Sequence, residues 1–251
     1  MTEPRVVIIT GAAQGIGFGT AQCFAEQGYN VVIADMNGAK AAEAAHALES
    51  AGAKRSLGIA CNVAIAADVT AMVENVVKDF GRVDVLVNNA GVCPFEHIME
   101  MSNATWQRSL DVNLTGPYLC TRAVARHLIE RKAGGSIIFI TSLADQRCGP
   151  NQVDYAATKS GLRMAMAGFA TALGPHGIRC NAVAPGHVNT PLTARYWDTP
   201  EGKAQAKRII PLGHLGQPRD IGNACVYLAS EQASYINGIT LRVDGGHSVM
   251  G

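Results

Sequence analysis

The chain has 251 residues, 48% of them hydrophobic, enough to bury one α/β core, and no linker, low-complexity run or internal repeat divides it. Its net charge of +1 comes from 21 scattered basic residues against 20 acidic ones, which leaves no basic stripe for nucleic acid or an anionic membrane and favours a small-molecule role. Seven cysteines, odd in number and without a C-x-x-C pair, read as reduced packing residues, neither a disulfide framework nor a metal site.

In chain order, β-branched runs alternate with helical patterns. "RVVIIT" precedes a helix over Phe18 to Gln27, "NVVIAD" one over Ala39 to Ser50, and "RSLGIACNV" one over Ala66 to Phe80. After "VDVLVNN" comes a long helical stretch, Ala104 to Arg131, then "GSIIFITS", a helix over Val153 to Leu173, "IRCNAVAPG", a helix around Ile221 to Ala229, and "ITLRVDGG". Continuous apolar strands separated by helices predict a doubly wound, Rossmann-like parallel sheet covered on both faces, in a single domain spanning 1–251. Asn189 to Gln217 breaks the rhythm with prolines at 191, 200 and 211; a long excursion after a strand's carboxyl end reads as a substrate lid. The first strand begins too early to leave room for a signal peptide and no apolar run is long enough to span a membrane, so the expected location is cytoplasmic.

Directly after the first strand, "TGAAQGIG" carries Gly11, Gly15 and Gly17. Glycines serve a tight strand-to-helix turn whose backbone approaches a pyrophosphate at the helix N-terminus, and this placement points to a dinucleotide. Asp35 ends the second strand, where its carboxylate would accept the adenosine ribose hydroxyls and repel a 2′-phosphate; neither Gln14 nor Met36 supplies a neutralising charge, so NAD is expected over NADP. Alternatively, Asp35 only caps the next helix. Tyr155 and Lys159, four apart, share one helix face, where an ammonium would stabilise a phenolate and lower a tyrosine pKa from about 10, making a general acid/base pair; without other signals they would be two solvent-facing residues.

Taken together and in order, Thr10-Gly11-x-x-x-Gly15-x-Gly17, Asn88-Asn89-Ala90-Gly91, Asn113, Ser142, Tyr155-x-x-x-Lys159 and Pro185-Gly186 resemble the classical short-chain dehydrogenase/reductase family, from about Arg5 to Gly246. The resemblance implies that Tyr155 takes the hydroxyl proton as hydride leaves the substrate, Lys159 also bonds the nicotinamide ribose, Ser142 polarises the substrate oxygen and Asn113 holds a water linking Lys159 to solvent. It further implies cofactor contacts from Ile16, Val63, Asn89, Ala90, Gly91, Pro185, Gly186, Val188 and Thr190, and a homotetramer. One departure is Asn62, at a position where the family usually has Asp beside the adenine.

In this family the substrate pocket draws on the loops after Asn89, Ser142 and Pro185 and on the lid. Those loops offer Cys93, Pro94, Phe95, Glu96, Ala144, Asp145, Gln146, Arg147, Asn151, Gln152, His187, Tyr196 and Trp197, a polar set that suits a polyhydroxylated ligand better than a steroid or acyl chain. "NNAGVCPF" also resembles the matching stretch of some bacterial NAD-dependent sugar dehydrogenases. Arg147 and Arg195 add a sharper alternative, an acidic sugar paired to a guanidinium, against which each arginine is solvated or paired with Asp145 or Asp198. The leading expectation is thus an NAD-dependent enzyme oxidising a hydroxyl of a sugar or acidic sugar derivative. A 3-oxoacyl thioester reductase, using Lys203, Lys207 and Arg208 as a basic patch, and a non-catalytic NAD-binding regulator are the competitors.

Overall fold

The computed structural model describes residues 3–250, and at Arg195 the backbone alone. Seven parallel strands lie in the order β3-β2-β1-β4-β5-β6-β7: β1 Val6–Thr10, β2 Asn30–Asp35, β3 Ser56–Ala60, β4 Val85–Asn88, β5 Gly135–Ile140, β6 Ile178–Pro185 and β7 Thr240–Val243. Helices α1 (Gly15–Glu26), α2 (Gly38–Glu49) and α9 (Pro218–Ala229) cover one face, placing Phe24, Leu48, Ile221 and Leu228 against Val7, Ile9 and Ile33. On the other, α3 (Ala66–Phe80), α5 (Gly116–Arg131) and α6 (Val153–Leu173) bury Met72, Val76, Leu128 and Leu162 against Ile8, Leu86 and Phe139. Both faces of the central strands are dry, which is why these sequences are uniformly apolar without alternation. Cys23, Cys61, Cys120, Cys180 and Cys225 are buried in this packing.

The long helical stretch is not continuous. Helix α4 (Asn103–Leu110) passes through a π-helical turn at Asp111–Thr115 before α5 begins. Pro117 has no N–H to give the Asn113 carbonyl four residues back, and the Gly116 N–H bonds Asp111 five residues back instead. The excursion from Asn189 to Gln217 is also structured, containing α7 (Ala194–Trp197) and α8 (Pro200–Ile209), and a parallel bridge between Val188 and Gly216 ties its two ends together.

At the opposite, amino-terminal edge of the sheet, the buried Asp84 carboxylate accepts the Val6 N–H at 2.8 Å and both Arg82 nitrogens, Nε at 2.8 Å and a terminal nitrogen at 2.7 Å. Removing it strands a backbone donor and a partly buried guanidinium. Asp84→Ala should therefore lower stability by about 2–4 kcal/mol, read as a fall in the urea midpoint with the slope unchanged.

Candidate active site

Strand order reverses between β1 and β4, and the chain leaves their carboxyl ends in opposite directions, opening a crevice. Its edges are stitched together. The Thr10 hydroxyl accepts the Asn89 and Ala90 N–H groups at 3.0 and 3.1 Å, and the Asn89 side-chain amide donates to the Thr10 and Gly11 carbonyls at 2.8 and 2.9 Å. Gly11 turns with φ +61°, and a Cβ there would lie 2.7 Å from the Ala90 Cα, so no larger residue fits. At Gly17 a Cβ would meet Asn89 Nδ2 at 2.5 Å, which fixes how closely α1 approaches β4.

The cleft has a volume of about 1380 Å³. Gly11, Gln14, Gly15, Ile16, Gly17, Asp35, Met36, Asn62, Val63, Asn89, Ala90, Gly91, Pro185, Gly186, Val188 and Thr190, the residues expected to contact a cofactor, all line it, with Tyr155 and Lys159. Helix α1 begins at Gly15 with no side-chain cap on its N–H groups and no acidic residue in its first turn, an arrangement that fits a pyrophosphate. The cap of α2 is Asn37, whose side chain accepts the Lys40 N–H; the Asp35 carboxylate instead accepts the Ala13 N–H at 3.2 Å and the Asn37 N–H at 3.0 Å. Asp35 is thereby held with its negative charge beside the glycine turn. Asn62 accepts the Ala64 N–H through its side chain, an Asx-type turn that sets the start of α3.

Tyr155 and Lys159 rise from α6, with the Lys159 ammonium 5.5 Å from the centre of the tyrosine ring and donating to the Ile140 carbonyl at 2.8 Å. The expected lowering of the tyrosine pKa is not found. Burial pushes Tyr155 up to about 12, with Cys93 adding to the rise and a Ser142 hydrogen bond opposing it, while burial pulls Lys159 down to about 8. The ammonium lies over the ring and bonds a backbone carbonyl, so desolvation outweighs any attraction to a phenolate.

Asn113 does not line the cleft but sits fully buried behind it in the π-helical turn, its amide clasping the Val92 N–H and C=O at 2.8 and 2.9 Å and donating to Thr158 at 3.2 Å. A Cβ built on Gly91 would lie 3.3 Å from Asn113 Oδ1 and 3.6 Å from Lys159 Nζ, so the three residues meet at one point.

The outer cleft corrects several substrate expectations. Cys93, Ser142, Ala144, Gln152 and His187 line it, as do Phe95, Tyr196 and Trp197. Gln146 and Asn151 do not; both are exposed on the loop after β5, which turns them to the surface. Pro94 and Glu96 also lie outside the lining, and Asp145 points away, buried between Arg242 at 3.2 Å and Arg163 at 3.9 Å. Arg147 reaches the cleft rim, where one terminal nitrogen donates to the Ser248 and Met250 carbonyls at 3.1 and 3.0 Å; its partners are those of the tail and not Asp145. The Arg195 side chain lies outside the described residues. Asp198 pairs with Lys203 at 2.7 Å in an exposed ion pair.

Burial, with His247 adding to it, lowers the His187 pKa to about 4, leaving a neutral imidazole near neutrality. Its ring lies 4.5 Å from Trp197 and 4.9 Å from His247. His247, Gln107, Arg108, Asp111 and Gln205 line the cleft and were not singled out in the sequence. The signal for His247, a histidine directly after "VDGG", had no meaning until the turn was seen to bring the tail back to the cleft.

Comparison with known proteins converges on one family. The sequence profile described as enoyl-(acyl carrier protein) reductase matches residues 11–248. The chain is 40% identical to an L-rhamnose 1-dehydrogenase (NAD(P)(+)) of Azotobacter vinelandii over 96% of both chains. It is 39% identical to a 3beta-hydroxysteroid dehydrogenase 1 of Eggerthella lenta over 96% of this chain and 93% of the relative. Its fold superposes with a TM-score of 0.93 on a gluconate 5-dehydrogenase from Burkholderia cenocepacia, crystallised with NADP and tartrate, at 34% identity over 100% of this chain and 97% of that one. With the stitched crevice, the glycine turn and the Ser142, Tyr155 and Lys159 cluster in place, the chain belongs to the short-chain dehydrogenase/reductase family of nicotinamide-dependent oxidoreductases acting on CH–OH groups.

Proposed function

We propose that this protein is an NAD-dependent dehydrogenase that oxidises a hydroxyl of a neutral sugar or polyol, with an acidic sugar the less favoured substrate. The carrying observation is the outer cleft, where Gln152, the neutral His187 and His247 offer hydrogen-bonding groups and His187 lies against Trp197. Neutral donors with an aromatic face suit a polyhydroxylated ring, whose hydroxyls need partners and whose C–H face packs on an indole. The engagement of Arg147 with the tail counts against an obligate carboxylate.

When bound, the nicotinamide supplies the hydride acceptor. The residues of this chain do the rest: Ser142 orients the substrate oxygen, Tyr155 passes its own phenolic proton toward solvent and as the resulting phenolate accepts the hydroxyl proton when the C–H bond gives up its hydride, and Lys159 would hold the nicotinamide ribose beside it and favour that phenolate with its charge. Asn113, clasped to Val92 and meeting Lys159 at Gly91, anchors a water path from the ammonium toward solvent. Residues 189–217 act as the lid, and the active protein is a cytoplasmic homotetramer.

A 3-oxoacyl thioester reductase remains the second reading, since the matched profile is described by an acyl-carrier reaction. Turnover assays with L-rhamnose, L-mannose, D-threitol and gluconate against acetoacetyl-CoA decide between them; activity confined to the thioester sinks the sugar reading.

Asp35 should make NAD preferred over NADP by about ten- to a hundredfold in kcat/KM, and Asp35→Ala should erase most of that gap. A wild-type preference for NADP would overturn the cofactor assignment. Tyr155→Phe should cut kcat about 10²- to 10⁴-fold while NADH binding, followed by fluorescence, stays within about twofold.

Lys159 gives a pH signature. Its folded pKa lies below the unfolded value, so the unfolded chain binds more protons between pH 8 and pH 10.5, and the protein gains stability as pH rises through that window. Below pH 8 the full cost of the buried cation, roughly 3 kcal/mol, is present. Relative to Lys159→Met, wild type should therefore rise in Tm between pH 8 and pH 10; parallel profiles would refute the buried-cation account.

A further inference from the structure

The C-terminal tail is moored in a way that the hydride-transfer machinery does not require. Gly245 and Gly246 take φ +62° and +87°, turning the chain back after β7, and the Asp244 carboxylate accepts the Gly246 and Ser248 N–H groups at 3.0 and 2.8 Å. Arg147 fixes the far side by its bonds to the Ser248 and Met250 carbonyls. The lid rests on the same turn, with the Leu212 N–H donating to the Gly245 carbonyl at 3.2 Å. Between these moorings stands His247. Its ring lines the cleft 4.9 Å from His187, and its Nδ1 is buried with no hydrogen-bond partner among the described residues. A buried nitrogen without a partner is costly unless something satisfies it.

We propose that His247 is a specificity-determining residue, an end stop of the substrate pocket whose imidazole hydrogen-bonds a hydroxyl remote from the reacting carbon, and that Arg147 is a positioning residue that holds the tail bearing it. The inference rests on the sugar or polyol reading above. It gives Arg147 a role distinct from anion binding: its charge serves the tail's carbonyls, and its effect on substrate passes through His247. The row Trp197, His187, His247 then runs from an apolar face to a polar terminus, which measures the length of a polyhydroxylated ligand.

The test is steady-state kinetics with L-rhamnose, L-mannose and D-threitol for wild type, His247→Ala, His247→Gln, Arg147→Ala and the His247→Ala, Arg147→Ala double variant. His247→Ala should raise KM for the substrate that wild type oxidises about five- to tenfold, with the KM for NAD unchanged; the loss corresponds to one hydrogen bond. His247→Gln should recover most of it, and Arg147→Ala should reproduce the KM rise. The double variant should lose little beyond His247→Ala alone, because both act through one contact. A sugar KM within twofold of wild type for His247→Ala overturns this inference while leaving the sugar reading intact. Wild-type turnover of acetoacetyl-CoA alone overturns both, since its acetoacetyl group carries no hydroxyl remote from the reacting carbon for His247 to bind.

Discussion

The site depends on one splice, between Thr10 and Asn89. At the carboxyl ends of β1 and β4 the sheet ceases to be continuous, and backbone that would otherwise splay apart is held by a hydroxyl that accepts two N–H groups and an amide that donates to two carbonyls. The glycine turn, the approach of α1 and the position of Gly91 beside Lys159 all take their coordinates from it. A buried polar network with every member satisfied is rigid as well as stable, because any displacement strands several groups at once.

Burial explains the electrostatic character of Tyr155 and Lys159. Desolvation moves tyrosine and lysine in opposite directions, up to about 12 and down to about 8, and each shift favours the neutral form. The barrier to a buried phenolate beside a buried ammonium is therefore set by solvent access, more than by the separation of the two side chains. Ser142, whose hydrogen bond opposes the rise at Tyr155, belongs to the same electrostatics.

Much of this was legible in the sequence, for identifiable reasons. Strands buried on both faces are apolar throughout, so β1, β2, β4 and β5 announced themselves, and the glycines and Asp35 occupy positions fixed relative to strand ends. What failed depended on side-chain direction within irregular loops. Gln146 and Asn151 lie between Ser142 and Tyr155, which both line the cleft, and still face outward, because a loop has no periodicity from which orientation can be read. Asp145 and Arg147, two apart, pair with residues about a hundred positions away, a relation no local pattern encodes. His247 was missed for the same reason, since its meaning comes from where two left-handed glycines aim the chain.

The π-helical turn before α5 has a consequence for how this chain can change over time. A wide turn holds one residue more than an α-helical one, so it offsets the phase of α4 against α5 by about 100°. That offset lets α4 present Gln107 and Arg108 to the cleft while α5 buries Cys120, Val124 and Leu128 in the core. Loops elsewhere can gain or lose residues at small entropic cost, but here length is a functional variable. Deleting a single residue there would undo that offset and swing Asn113 out of its clasp on Val92, so the segment tolerates a change of residue away from Asn113 more readily than a change of length.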